Sequence, residues 1–293
     1  MQSREIYTGS SSPGITKIHN RWIETDSMAG VGIDPDVSKI PDEIWDEVGG
    51  KDAIDDGIFL FNKRIIDATA EHVVDFKVNS NFFQGELGRK ALQSTFDYLK
   101  DSYPSVLRVC DGTFADVGHT AEKIADEIFG TLDADAVLLN PYMGRDAIEP
   151  FTKWNDKLVI MCVNTSNQSA AEIQNLTVQG RPLWRKVLDL SLNEWNGNGN
   201  VIPVLSATHV DNLVNIRDTI QQTPVLLAGV GQQGGDIADA LPHTLDNNGY
   251  GVMISASRSI LYAERQTGES FERASARAAL SLKKKIREIR DSL

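Results

Sequence analysis

Short apolar runs alternate with longer amphipathic stretches along this 293-residue chain. Eight apolar runs bounded by turn-forming residues predict strands at 29–34, 73–78, 105–110, 134–140, 157–164, 201–206, 224–230 and 251–257. Helical spacing is clearest at 54–72, 86–99, 120–129, 211–221 and 271–289. Because strands that alternate with helices form parallel sheets, the pattern predicts an α/β fold, a (β/α)8 TIM barrel.

The same pattern sets the expected domain organisation. Residues 28–293 have the length of one α/β barrel domain, and residues 1–27 are assigned to an amino-terminal extension with a flexible, glycine- and serine-rich stretch at 8–14. The longest gap lies between the fifth and sixth strands. It is interpreted as a local elaboration, with loops on either side of a helix at 183–195.

Composition narrows the class of protein. The formal net charge is -12, which argues against nucleic acid and anionic membrane surfaces as partners because both select basic faces. Cys110 and Cys162 both lie inside predicted strands, so we expect buried thiols rather than a disulfide, in a reducing compartment. The chain has neither a long apolar span nor the apolar core of a signal peptide. These features predict a soluble cytoplasmic protein.

The turns after the seventh and eighth strands are candidates for phosphate binding, which is common at these positions in such barrels. Gly229, Gly231 and Gly234 allow backbone N–H groups to approach an anion, with the positive end of the next helix behind them. Arg258 follows the eighth strand with a forked, permanently charged donor. The three glycines also match a dinucleotide-binding fingerprint, but a lone match is weak, and a purely structural glycine turn is the third interpretation.

Two carboxylates, Asp111 and Asp116, lie in the turn between the third strand and the following helix. The stretch reads Asp111-Gly112-Thr113-Phe114-Ala115-Asp116-Val117-Gly118-His119-Thr120. It resembles the Asp-x-Lys-x-x-Asp-Ile-Gly-x-Thr motif of the orotidine 5'-phosphate decarboxylase family, with Thr113 at the position of the proton-donating lysine. Further matching segments span roughly residues 28 to 265: 31–36, 61–69, 75–79, 140–146, 165–167, 229–236 and 257–258. The chain looks most like the longer bacterial and haloarchaeal branch of the family.

The resemblance implies roles for several strand-end residues. In the family, the positions of Asp34 and Lys77 contact the ribose hydroxyls and contribute to an alternating Lys-Asp-Lys-Asp array. Without the resemblance, either charge could be solvated or part of a structural ion pair. The positions of Asp116 and Thr120 complete the neighbouring subunit's pocket, so a homodimer with shared sites is implied.

The remaining implied contacts concern the nucleotide itself. Ser166 would face the pyrimidine, and Gln233 with Arg258 would hold the 5'-phosphate of a nucleoside monophosphate. We expect no metal and no organic cofactor, and the sequence offers neither a Ser-His-Asp nucleophile nor a Cys/His metal motif.

Thr113 changes the expected chemistry. Loss of carbon dioxide from carbon 6 of a pyrimidine leaves a vinyl-type carbanion, which a lysine ammonium stabilises and protonates, whereas threonine does neither. Neighbouring departures at Gly112, Phe114, Ala115 and Asn164 favour natural divergence over a single engineered substitution.

Two functions therefore remain open. One is a decarboxylase-like carbon–carbon lyase whose ordinary reaction is impaired or altered, and the other is an inactive nucleotide-binding homologue that regulates or sequesters its ligand. His119 is the one new titratable group in the motif, and a solvated or helix-capping role competes with an acid role.

Overall fold

The computed structural model describes residues 12–83, 86–230 and 235–293. Within these ranges a parallel barrel closes: each strand pairs with the strands before and after it, and the last pairs with the first. The strands are β1 Ala29–Ile33, β2 Asp75–Asn79, β3 Leu107–Phe114, β4 Ala136–Leu139, β5 Leu158–Met161, β6 Val201–Ser206, β7 Val225–Ala228 and β8 Val252–Ala256. The predicted (β/α)8 barrel is confirmed.

Helices fill the connections and cover the outside of the barrel. They are α1 Pro13–Thr25, α2 Asp42–Glu47, α3 Ile54–Thr69, α4 Glu86–Ser102, α5 Gly118–Ala125, α6 Arg145–Thr152, α7 Ala171–Gln174, α8 Leu183–Asp189, α9 Ile216–Ile220, α10 Ile237–Thr244, α11 Arg258–Leu261 and α12 Phe271–Asp291. The stretch predicted as a helix at 211–221 is helical mainly at its end, after a 3-10 turn at Val210–Asn212. The other four clear stretches form helices near their predicted positions.

Side chains alternate between the barrel interior and the helices, as period-two strands require. In β1, Gly30 faces the interior because a Cβ there would lie 2.2 Å from a carboxylate oxygen of Asp75. Val31 and Ile33 are fully buried members of the apolar core. The small residues of β1 therefore leave room inside the barrel for polar side chains of the next strand.

Helix α1 covers the amino-terminal end of the barrel, although residues 1–27 were expected to form an extension. Ile18 and Trp22 on this helix are completely buried. Arg21 donates a hydrogen bond of 3.1 Å to the carbonyl of Val73, just before β2, and Lys17 forms a 2.7 Å ion pair with Asp135, just before β4. Residues from Pro13 onward are thus packed against the barrel.

The segment between β5 and β6 is a local addition to the barrel, as its loop residues predicted. Helix α7 leads into a short antiparallel ribbon of Thr177–Val178 with Arg181–Pro182, followed by α8. The predicted helix at 183–195 is present as α8 continued by a π-helical turn, Leu190–Glu194.

Both cysteines are buried and free, as expected from their positions in strands. Burial raises the pKa of the Cys162 thiol to about 12, so it stays protonated at neutral pH. Across the described ranges, none of the helices combines the length and apolar character needed to cross a membrane.

Candidate functional site

An ion pair between neighbouring strands forms the centre of the candidate site. Asp111 lies opposite Asn79 in the register of β3 on β2, and Lys77 is two residues earlier on β2. The Lys77 ammonium forms a salt bridge with the Asp111 carboxylate, and their side chains are 15% and 10% exposed. Ser80 donates a 3.0 Å hydrogen bond to the backbone oxygen of Asp111. Two sequence-predicted residues are therefore joined at the carboxyl ends of their strands.

Carboxylates dominate the charge around Lys77. Burial by itself lowers the pKa of the Lys77 ammonium, but the attraction of Asp111, Asp34 and Asp75 outweighs burial and raises the pKa. Lys77 is consequently charged at neutral pH. One Asp34 oxygen, Oδ1, is buried and accepts no hydrogen bond from the described residues.

Asp75 is a polar residue of the interior that sequence reasoning did not single out. It is completely buried, and its carboxylate accepts a 2.8 Å hydrogen bond from Ser255. Burial raises the pKa of Asp75 to about 6, against the opposing effects of the Ser255 hydrogen bond and the Lys77 charge. Period-two alternation offered the signal, because Asp75 lies two residues before Lys77 and so on the same face of β2.

The tip of β3 has an unusual backbone. From Cys110 to Phe114 this strand advances four residues while β4 advances two, from Val137 to Leu139. Such a bulge redirects side chains. Thr113 sits in the bulge with φ of 49°, in the left-handed region that strains a β-branched residue, and its side chain is exposed. The ring of Phe114 lies so close to Gly112 that a Cβ there would be 2.4 Å from it.

The second carboxylate of the motif, Asp116, is not part of the Lys77–Asp111 ion pair. Asp116 is half-buried and accepts a hydrogen bond of 2.8 Å from the backbone N–H of Val117. Thr120 and His119, in the first turn of α5, are exposed. In the single chain, His119 and Thr120 are therefore open to solvent and Asp116 is partly so.

The turns after β5 and β7 touch each other. Gly229 has φ of 82°, and a Cβ at this position would lie 2.5 Å from the Cβ of Ser166. Gly235 donates a 3.1 Å hydrogen bond to the carbonyl of Gly229, which closes the base of the intervening loop. The predicted phosphate residues Gly231, Gln233 and Gly234 lie outside the described residues.

The ends of two helices lie near these turns. Helix α10 is capped by Asp236, whose carboxylate accepts a 2.9 Å hydrogen bond from the N–H of Ala238. This negative cap differs from the expectation that the end of α10 faces an anion. Arg258 is the first residue of α11, is exposed, and forms no salt bridge with any described residue. The described residues contain no cluster of three or more His, Cys, Asp or Glu side chains suited to a metal ion.

Comparisons with known proteins agree with this geometry. Residues 60–273 match the profile of the orotidine 5'-phosphate decarboxylase / HUMPS family. The orotidine 5'-phosphate decarboxylase of Cellvibrio japonicus is 38% identical over 272 residues, which cover 93% of this chain and 97% of that protein. The Dechloromonas aromatica enzyme of the same name is 35% identical over the same shares.

A solved structure shows the same architecture. The OMP decarboxylase of Leishmania donovani superposes with a TM-score of 0.80 at 27% identity, covering 95% of this chain and 99% of that one. The likeness therefore extends over the whole barrel.

Proposed function

Because the chain belongs to the orotidine 5'-phosphate decarboxylase family, we propose that it binds a pyrimidine nucleoside 5'-monophosphate at the carboxyl end of the barrel. We further propose that its ordinary decarboxylation of orotidylate is impaired. The observation that carries the proposal is the Lys77–Asp111 ion pair beside Asp34, with an uncharged, exposed Thr113 two residues beyond Asp111.

The ion pair supports binding of the sugar. Lys77 on β2 is a charged donor, and Asp34 after β1 and Asp111 on β3 are acceptors on the two strands that flank it, a set that suits vicinal hydroxyl groups. The phosphate then lies towards β7 and β8. Arg258 supplies a forked donor there. A short helix after the last strand, such as α11, is a common phosphate site in these barrels.

The reaction needs a positive charge that the β3 tip does not supply. Decarboxylation at carbon 6 places negative charge on the ring, and preorganised donors must stabilise it. Lys77 already pairs with Asp111, and Asp34 and Asp75 add two further carboxylates around it. A developing carbanion near Asp111 is thus repelled more than it is attracted.

A homodimer with shared pockets is the second part of the proposal. Three exposed large apolar side chains follow successive strands on one side of the barrel face: Phe82, Val117 and Met143. Next to them, between α4 and α5, lies a cavity of about 1220 Å³ lined by Phe83, Phe114 and Thr120 among others. Exposed apolar side chains after three neighbouring strands, beside an open cavity, support an interaction site. A second copy placed there would bring its Asp116 and Thr120 to the first copy's pocket.

Mixing two variants tests the shared pocket. Asp111→Ala removes a group from the chain's own pocket, and Asp116→Ala removes one from the partner's pocket. After equal mixing and exchange, about a quarter of the pockets should regain both groups, because half of the dimers are mixed and each has one intact pocket. Calorimetric counting of uridine 5'-monophosphate sites measures this. A monomer by light scattering, or no recovered sites, contradicts the proposal.

A non-catalytic nucleotide-binding role is the alternative function. It is favoured by the strained, exposed Thr113, which offers no acid to a carbanion. Titration with uridine 5'-monophosphate and an orotidylate consumption assay test both functions. Binding with measurable turnover supports an impaired lyase, and binding without turnover supports the alternative. No binding of either nucleotide contradicts the proposed site.

A further inference from the structure

Gln174 is the inward-facing residue of an otherwise exposed segment. Between 171 and 180, which includes α7 and the first strand of the ribbon, it alone is half-buried while the other residues are exposed. Polar side chains of an exposed segment ordinarily face water. The orientation of Gln174 therefore calls for an explanation in the groups it contacts.

Those groups belong to the turn that follows β5. The Gln174 side-chain oxygen accepts a 2.9 Å hydrogen bond from the backbone N–H of Thr165 and a weaker one, 3.4 Å, from the Asn164 amide. Its nitrogen donates a 2.8 Å hydrogen bond to the Thr165 hydroxyl. A backbone N–H can only donate, so the Gln174 oxygen must face it and the orientation of the amide is fixed.

The hydrogen bonds run in one direction. The Thr165 hydroxyl accepts from Gln174 and donates its one proton to the side-chain oxygen of Asn167 at 2.7 Å. A hydroxyl has one proton to give, so a partner that only accepts cannot replace the Gln174 nitrogen without disturbing the bond to Asn167.

Ser166 lies between Thr165 and Asn167, the two residues that these hydrogen bonds join. On its other side it packs against the backbone of Gly229. We propose that Gln174 is a positioning residue that fixes the Ser166 turn for recognition of the nucleotide base, while sugar and phosphate are recognised independently by Lys77, Asp34 and Arg258. This inference rests on the proposed nucleotide site.

Two probes separate base recognition from phosphate recognition. Uridine 5'-monophosphate contains the base, and ribose 5-phosphate does not. By calorimetry, Gln174→Ala and Gln174→Glu should each weaken uridine 5'-monophosphate binding about tenfold, which corresponds to the loss of one or two hydrogen bonds. In Gln174→Ala, ribose 5-phosphate binding should change less than about twofold. The Glu variant keeps the size of the side chain, and because its added charge weakens both anionic probes, its readout is the additional loss of affinity for uridine 5'-monophosphate.

Controls and a second readout keep the test decisive. Gln179→Ala, an exposed glutamine of the same segment, should leave both affinities unchanged. Amide hydrogen exchange at Thr165 should accelerate in Gln174→Ala and not in Gln179→Ala. Equal losses of affinity for both probes, or an unchanged affinity for uridine 5'-monophosphate, overturn this inference but leave the proposed function standing. A natural chain that binds neither probe overturns the proposed function as well.

Discussion

Charged side chains are paired differently at the two ends of the barrel. At the amino-terminal end, Asp135 receives hydrogen bonds from Lys17 at 2.7 Å and Arg108 at 2.9 Å. At the carboxyl end, Asp34 has a buried oxygen without a partner, and Arg258 has no salt bridge among the described residues. Buried nitrogens without a partner also occur at the amino-terminal end, on Trp22 and Arg108, so the contrast between the ends lies in the ion pairs formed by their charged groups. This contrast supports the proposal that the carboxyl end binds the ligand, while the ion pairs of the amino-terminal end contribute stability.

Left-handed non-glycine residues occur at both ends, but those before β1 and β4 are aspartates, Asp26 and Asp133, which tolerate this region better than a β-branched residue. Helix α1 begins with a Ser12 cap and Pro13 in its first turn, an arrangement without strain. Thr113 at the opposite end has φ of 49°, which a threonine adopts only at a cost. Substitutions at the two ends should therefore affect different measurements.

Orotidylate turnover should show the largest effect at the carboxyl end. We expect a rate about 10²–10⁴-fold below that of the Cellvibrio relative, because a positioned general acid contributes that much and the stabilising charge is also missing. Thr113→Lys alone should not restore the rate, since the bulge and the ring of Phe114 remain. Progress curves at matched enzyme concentrations measure both. Turnover equal to the relative's would show that another group supplies the proton.

Arg21→Ala should have the largest effect at the amino-terminal end. The side chain is buried and donates to the backbone oxygens of Ala70 and Val73. Leaving two buried carbonyls unsatisfied should lower the free energy of unfolding by about 3 kcal/mol. Urea denaturation measures the change, with Arg287→Ala as control, since that side chain is 42% exposed and its ion pair with Asp26 is long, at 3.7 Å. Equal stability of the two variants, or a specific loss of nucleotide affinity in Arg21→Ala, would contradict the view that residues at the amino-terminal end act on stability and not on binding.

Asp75 lies at the start of β2, on the same strand face as Lys77. Its contribution to the free energy of unfolding should depend on pH. Its pKa is raised to about 6 in the folded protein, above its ordinary unfolded value, so the folded state favours the protonated form. Its contribution to stability is present below about pH 4 and is lost as pH rises through about 6, by about 2–3 kcal/mol in all. Unfolding of the natural chain and Asp75→Asn from pH 4 to 8 should show this difference. A gap between them that does not vary with pH contradicts the raised pKa.

Sequence patterns predicted the barrel well because its strands are apolar runs with clear boundaries, and all eight predicted runs overlap a strand, although β3 continues four residues past its predicted end. They also placed Lys77, Asp111 and Arg258 at the carboxyl ends of strands, as the structure has them, whereas the roles of these residues were implied by the family resemblance and stay predictions. They missed the role of α1, whose amphipathic residues follow a glycine- and serine-rich stretch. They also missed Gln174. Its contacts form only when the segment after β5 folds back onto the Thr165 turn, and no local sequence pattern predicts such a contact.

Arg258→Ala gives the smallest effect and the sharpest test of the comparison. Arg258 is exposed and forms no salt bridge with any described residue, so its loss should leave the free energy of unfolding nearly unchanged. Binding of uridine 5'-monophosphate should weaken by about 1.5–3 kcal/mol, because a hydrogen bond to a charged group is lost. Calorimetry and urea denaturation on the same preparations separate the two effects, with Arg287→Ala again as control. If Arg258→Ala loses stability but keeps its affinity, the arginine belongs to the scaffold and the phosphate must bind elsewhere on the barrel face.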